Sequence, residues 1–88
     1  MTQNENVKTP AETYFAAFAA VVALPGVDCP KLIRLGELCA NTAVTPTEQL
    51  TAERDALFAE LFDGRPADAL KLGNEYVFCA GVFGLASR

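Results

Sequence analysis

Eighty-eight residues carrying a net charge of −4, no His and 51% hydrophobic side chains make one small domain with a surplus of apolar surface. A chain of this length buries only about 60–65% of its unfolded surface, so part of that apolar material must face outward or meet a partner. Lys and Arg are nowhere clustered, which excludes a nucleic-acid backbone as the expected ligand. The apolar runs 13–27 and 76–87 are too short, or too interrupted by Pro and Gly, to span a bilayer. Cys29, Cys39 and Cys79 are an odd set without a CxxC spacing, which points away from a disulfide framework and toward a reducing compartment. The opening MTQNENVK has no signal-peptide pattern, and the expected location is the cytoplasm.

Residues 1–8 read as a loose polar tail, and the domain as 9–88. Thr9-Pro10-Ala11-Glu12 then has the spacing of a capping box, with Pro in the first helical position. The helix it opens has no charge from Thr13 to Leu24. Tyr14, Phe18 and Val21 form one stripe, Phe15 and Val22 lie beside it, and the other faces are mostly Ala. A helix apolar all round is covered on more than one side. Leu24-Pro25-Gly26 ends it.

Asp28 is the expected cap of a second helix, with Pro30 in its first turn. Leu32, Gly36, Cys39 and Ala43 share a face, while Lys31, Arg34 and Glu37 point to water. Gly36 costs about 1 kcal/mol of helix propensity. It either marks a close approach of two helices or merely weakens this one.

Thr45, Pro46 and Glu48 repeat the capping-box spacing and predict a third helix starting at Pro46. Leu50, Leu57 and Leu61 stack on one side of it, Phe58 and Phe62 widen the stripe, and Gly64 stops it. Pro66 opens a fourth helix, whose Ala69, Leu70 and Gly73 can turn back on the third. Thirty-six residues separate Thr9 from Thr45, and the same offset carries Pro30 onto Pro66. Such a period with helix–turn–helix content is the pattern of stacked helical hairpins, against the alternative that two TPxE matches coincide by chance.

Beyond Gly73 three readings stand. A continuous helix puts Ala69, Gly73, Tyr76, Ala80 and Gly84 on the core side and Phe78, Val82 and Leu85 outward. A break at Gly73-Asn74 would make a separate last helix, and the composition of YVFCAGVF would also permit a strand. The fold class is therefore all-α, of four to five helices arranged as hairpins.

Catalysis finds little to use here. The common base and metal ligand, His, is missing, no glycine-rich phosphate loop is present, and no cysteine has a basic neighbour to make it a thiolate. Glu48, Glu53, Asp55, Glu60 and Asp63 read as a solvated outer face rather than a metal site. The expectation is a protein that is not an enzyme and takes no cofactor. Arg54 falls at the centre of the Leu50–Leu57–Leu61 stripe, where it either snorkels at the edge of the packed face or pairs with an acidic group on a partner.

The apolar excess then suggests binding, either of a partner's amphipathic helix or of a second copy of the chain. Phe15, Phe18 and Val22 are the candidate contacts of one surface. Phe58, Phe62, Phe78 and Val82, with Arg54 at the edge, are those of the other.

Two segments carry a family resemblance. FDGRPADALKLGN (62–74) resembles the inter-helix turn and second helix of a tetratricopeptide repeat. The order ALPG (23–26), LIRLGELC (32–39) and ALKLGN (69–74) is similar to that of the tetratricopeptide-like chaperones of type III secretion needle subunits in Gram-negative bacteria. The resemblance implies tetratricopeptide-like repeats and a cytoplasmic, non-enzymatic chaperone. Such a protein holds the amphipathic helix of a needle subunit in an apolar groove, prevents its early polymerisation, and works with a small helical co-chaperone.

Overall fold

Local signals decide where the helices begin. In the computed structural model, which describes residues 9–87, the helices are α1 (Pro10–Val22), α2 (Cys29–Val44), α3 (Glu48–Phe62) and α4 (Ala67–Ala86). The expected tail over 1–8 lies outside the described residues. The Thr9 hydroxyl accepts from the Glu12 amide at 3.1 Å and the Glu12 carboxylate accepts from the Thr9 amide at 2.8 Å, so the capping box of α1 is closed. Asp28 caps α2 through the Lys31 amide at 3.2 Å.

The third start differs from expectation. Thr47, not Thr45, caps α3, accepting from the Leu50 amide at 3.1 Å. Thr45 instead closes α2, donating its amide to the Asn41 carbonyl at 2.8 Å. The proline that follows explains this: Pro46 pushes Thr45 out of the helical region, to φ −136° and ψ 80°. The cap is thus displaced by two residues and the expected box with Glu48 does not form.

The fold is all-α and built of helical hairpins, with no strand among the described residues. α4 runs unbroken through Gly73-Asn74, so neither a helix break nor a strand over YVFCAGVF occurs. Its buried face is Ala69, Gly73, Tyr76, Ala80 and Gly84, as the continuous-helix reading requires. Small residues let neighbours come close along this face. The Phe62 ring lies where a Cβ on Gly73 would be 2.8 Å from it, and the Ala40 backbone lies at 2.6 Å from the same point on Gly84.

α4 is the helix on which the others converge. Its most extensive packing is against α2 and then α1, and α3 packs chiefly on α2. Val21, Leu32, Leu35, Cys39, Leu61, Phe62, Tyr76 and Ala80 form the shared core. The buried face of α2 is wider than its expected stripe, because Leu35, Leu38 and Thr42 join Leu32, Gly36 and Cys39, while Ala43 is half-buried. On the outside, Lys31 pairs with Glu60 and Arg34 reaches Glu53 at 3.5 Å, both between α2 and α3, while Arg34 also reaches Glu37 of its own helix at 3.8 Å. Arg65 donates to the carbonyls of Leu61 and Pro25, both at 2.8 Å, and so ties the α3–α4 turn to the α1–α2 turn.

At the centre, Tyr76 donates its hydroxyl to the Leu32 carbonyl at 2.8 Å and lies 3.2 Å from the Tyr14 hydroxyl. The two rings stack at 5.5 Å. Gly36 faces both hydroxyls, and a Cβ there would stand 2.2 Å from one oxygen and 2.4 Å from the other. The glycine is therefore a close-approach residue. Gly36→Ala should cost about 1–3 kcal/mol through overpacking. Gly81→Ala, whose new methyl would meet only the Ala43 side chain at 3.7 Å, should instead stabilise α4 by about 0.5–1 kcal/mol. Urea unfolding of the two variants beside the parent chain checks both signs.

Candidate functional site

A helix with a packed inner face and an apolar outer face leaves grooves on either side of its outer ridge. That is the arrangement around α4. On one side, Thr13, Ala16, Ala17 and Ala20 of α1 face Leu70, Asn74, Phe78 and Cys79 of α4 across a groove of about 760 Å³. It continues past Thr13, Phe78 and Cys79 into a smaller recess bounded by Pro10 and Val82. On the other side, the α2 end and α3 approach α4 through Ala43, Pro46, Thr51 and Arg54, opposite Val77, Phe78, Gly81, Val82 and Leu85, around about 540 Å³. A further hollow of about 420 Å³ lies between Arg54, Asp55, Phe58, Asn74 and Val77.

Phe78 stands on the ridge between these grooves, 72% exposed, and lines both. Val82 and Leu85 extend the ridge one and two turns further along α4 and are also exposed. An aromatic ring so placed loses little water on folding and has much apolar area left to bury.

The residues singled out in the sequence divide into three groups. Phe78, Val82, Phe58 and Arg54 do converge on the α3–α4 side. Phe58 is half-buried, its ring 4.8 Å from that of Phe62. The Arg54 side chain is 30% exposed and bonds to Asp55 at 3.1 Å, while its stem borders the hollow.

Phe62 does not belong to any surface. It is 0% exposed, because it ends α3 over the bare backbone of Gly73 and completes the core. Phe15, Phe18 and Val22 lie on α1 but outside the α1–α4 groove. Phe15 is 60% exposed and Val22 is exposed, whereas Phe18 is half-buried with its ring 6.2 Å from Tyr76. None of the three lines the grooves that border Phe78.

Sequence reasoning missed the alanines. Ala16, Ala17 and Ala20 make one wall of the α1–α4 groove, and the signal was the Ala content of α1 away from its aromatic stripe. A side chain that stops at Cβ cannot fill the space next to it, so an alanine face on a surface helix leaves room for another helix.

The polar chemistry around the grooves is subdued. Burial pushes the Cys39 thiol up to about 11, and burial likewise raises Cys79 and Tyr76. All three are held in their neutral forms. Among the described residues no group of three or more His, Cys, Asp or Glu is placed to hold a metal ion, and no helix is long and apolar enough to cross a membrane. What the site offers is shape and apolar area.

Comparison with protein-family models, with curated proteins and with solved structures finds no match.

The cysteine environment has a measurable consequence. In the unfolded chain Cys39 ionises near the ordinary thiol value of 9.0, and in the native protein, where burial disfavours the thiolate, at about 11. Its raised value adds stability that is fully present below about pH 9 and is lost as pH rises toward 11. Thiol titration at pH 8 should therefore label Cys39 only when the protein is unfolded, and Cys39→Ala should flatten the stability profile between pH 9 and pH 11.

Proposed function

We propose that this protein is a non-enzymatic binding module that takes an amphipathic helix of another protein into the grooves beside α4. The observation that carries the reading is Phe78, an aromatic side chain 72% exposed at the junction of two apolar grooves. Amphipathic helices lay apolar anchors spaced i, i+3 and i+4 into such grooves. Burying one aromatic anchor contributes about 1.5–3 kcal/mol, and a few anchors carry most of the affinity.

The resemblance to tetratricopeptide-like needle-subunit chaperones supplies the partner. In this reading the bound helix is that of a type III secretion needle subunit, held in the bacterial cytoplasm so that it does not polymerise early. The second apolar surface, around Phe15 and Val22, receives a small helical co-chaperone. The all-helical hairpin fold, the open apolar grooves and the subdued chemistry of the thiols support the proposal.

A second reading has its own observation. Phe15, 60% exposed, lies on a face away from the α4 ridge, so copies of the chain could satisfy one another there as a self-assembling structural or regulatory protein.

Calorimetry against a needle-subunit helix separates the two readings. Phe78→Asp should abolish binding with no loss of thermal stability, because the side chain is outside the core. Phe58→Asp should lower both, since its ring also packs on Phe62. Unchanged affinity in Phe78→Asp would remove the ridge from the site. A homodimer that persists at nanomolar concentration and dissociates in Phe15→Asp would favour self-assembly.

A further inference from the structure

The four helices are not held equally. α1 runs beside α4, approaches α2 only slightly and does not approach α3 among the described residues. No ion pair there joins it to another helix, whereas Lys31–Glu60 and Arg34–Glu53 link α2 to α3. Val21 is the one side chain of α1 that is fully buried, and the others are half-buried or exposed. What holds α1 is aromatic contact. Tyr14 lies 5.5 Å from Tyr76 and 5.1 Å from Phe83, ring to ring, and Phe18 lies 6.2 Å from Tyr76. A segment with few buried contacts opens at lower cost than the core it rests on.

The polar groups permit that separation. Beyond its own cap, α1 shares one side-chain hydrogen bond with the rest of the described residues, between the Tyr14 and Tyr76 hydroxyls at 3.2 Å. When it breaks, the Tyr76 hydroxyl keeps the Leu32 carbonyl at 2.8 Å and is not orphaned. The contacts of Phe62 with Gly73 and of Ala40 with Gly84 join the other three helices and do not involve α1. The hinge is also defined. Arg65 of the α3–α4 turn holds the Pro25 carbonyl at 2.8 Å, just before Gly26 at φ +73°. The chain is thereby fastened from Pro25 onward, and movement of α1 is confined to residues 23–25.

We infer that α1 is an arm that opens as one unit about residues 23–25 while α2, α3 and α4 stay packed. A 13-residue helix is marginal in water by itself, so the released arm loses its helix. Opening uncovers the rings of Tyr76 and Phe83 and carries away the alanine wall of the α1–α4 groove. The groove exists only while the arm is closed. Closure of α1 therefore precedes any use of that groove, whatever enters it.

Native-state hydrogen exchange of the unmodified chain, read amide by amide by NMR over a series of low urea concentrations, tests this. The amides from Tyr14 to Val22 should share one opening and exchange faster than the slowest amides of α2 and α4 by about tenfold or more. Their rates should also rise less steeply with urea, because less surface is exposed. Protection that climbs residue by residue from Tyr14 to Val22 would be fraying of a helix end and overturns the arm. So does a single urea line shared by all four helices.

A variant far from α1 gives a second, independent reading. Phe58 sits on α3, which does not approach α1, and its contact with Phe62 survives in the open form. Phe58→Leu should therefore speed exchange in α2 and α4 by up to about tenfold and leave the α1 rates unchanged. An α1 rate that rises in step with those of α2 and α4 overturns the inference, since the arm would then open only when the whole domain unfolds.

Discussion

The Tyr76 hydroxyl is the junction on which the domain closes. It comes from α4, donates to a carbonyl of α2, and sits beside the hydroxyl of Tyr14 from α1. Three helices therefore meet at one pair of oxygens inside an apolar core. A buried hydroxyl without a partner costs more than a made bond contributes, so the arrangement has little freedom to slide. Gly36 is the condition for it, because only a residue without Cβ leaves the two oxygens room. Tyr14 then stacks on Phe83 at 5.1 Å and continues the aromatic contact along α4.

Much of this architecture was legible in the sequence, for identifiable reasons. The α4 pattern of Ala69, Gly73, Tyr76, Ala80 and Gly84 keeps a helical period through a glycine, and the structure follows it. Thr9 and Asp28 each precede a helix that has no competing cap, and both cap as read. The failures have equally local causes. TPT offers two threonines, and the backbone restriction imposed by Pro46 hands the cap to the later one. Phe62 looked like part of a surface stripe because periodicity gives direction on a helix but not what lies opposite. The bare Gly73 backbone that receives it is a tertiary fact.

The site was half visible. Phe78 and Val82 could be read as outward-facing once α4 was taken as continuous, since they fall opposite the small residues of its buried face. The groove wall could not. It exists because Ala16, Ala17 and Ala20 happen to turn toward α4, and nothing in an alanine-rich helix says which of its faces will meet a neighbour. The same limit applies to Phe15 and Phe18, neighbours in sequence that differ in exposure because only one of them lies near Tyr76.

α4 has no idle side. Its small residues are fixed by the helices behind it, and, on the helix-binding proposal, its large exposed ones by the partner in front. Substitutions in α4 therefore have two separate ways to do harm, whereas the rim of α3 around Glu53 and Glu60 rests on exposed ion pairs that contribute little. Variation among descendants of this chain should gather on α3 and thin out along α4. The helix with the most unusual composition would then be the slowest to drift.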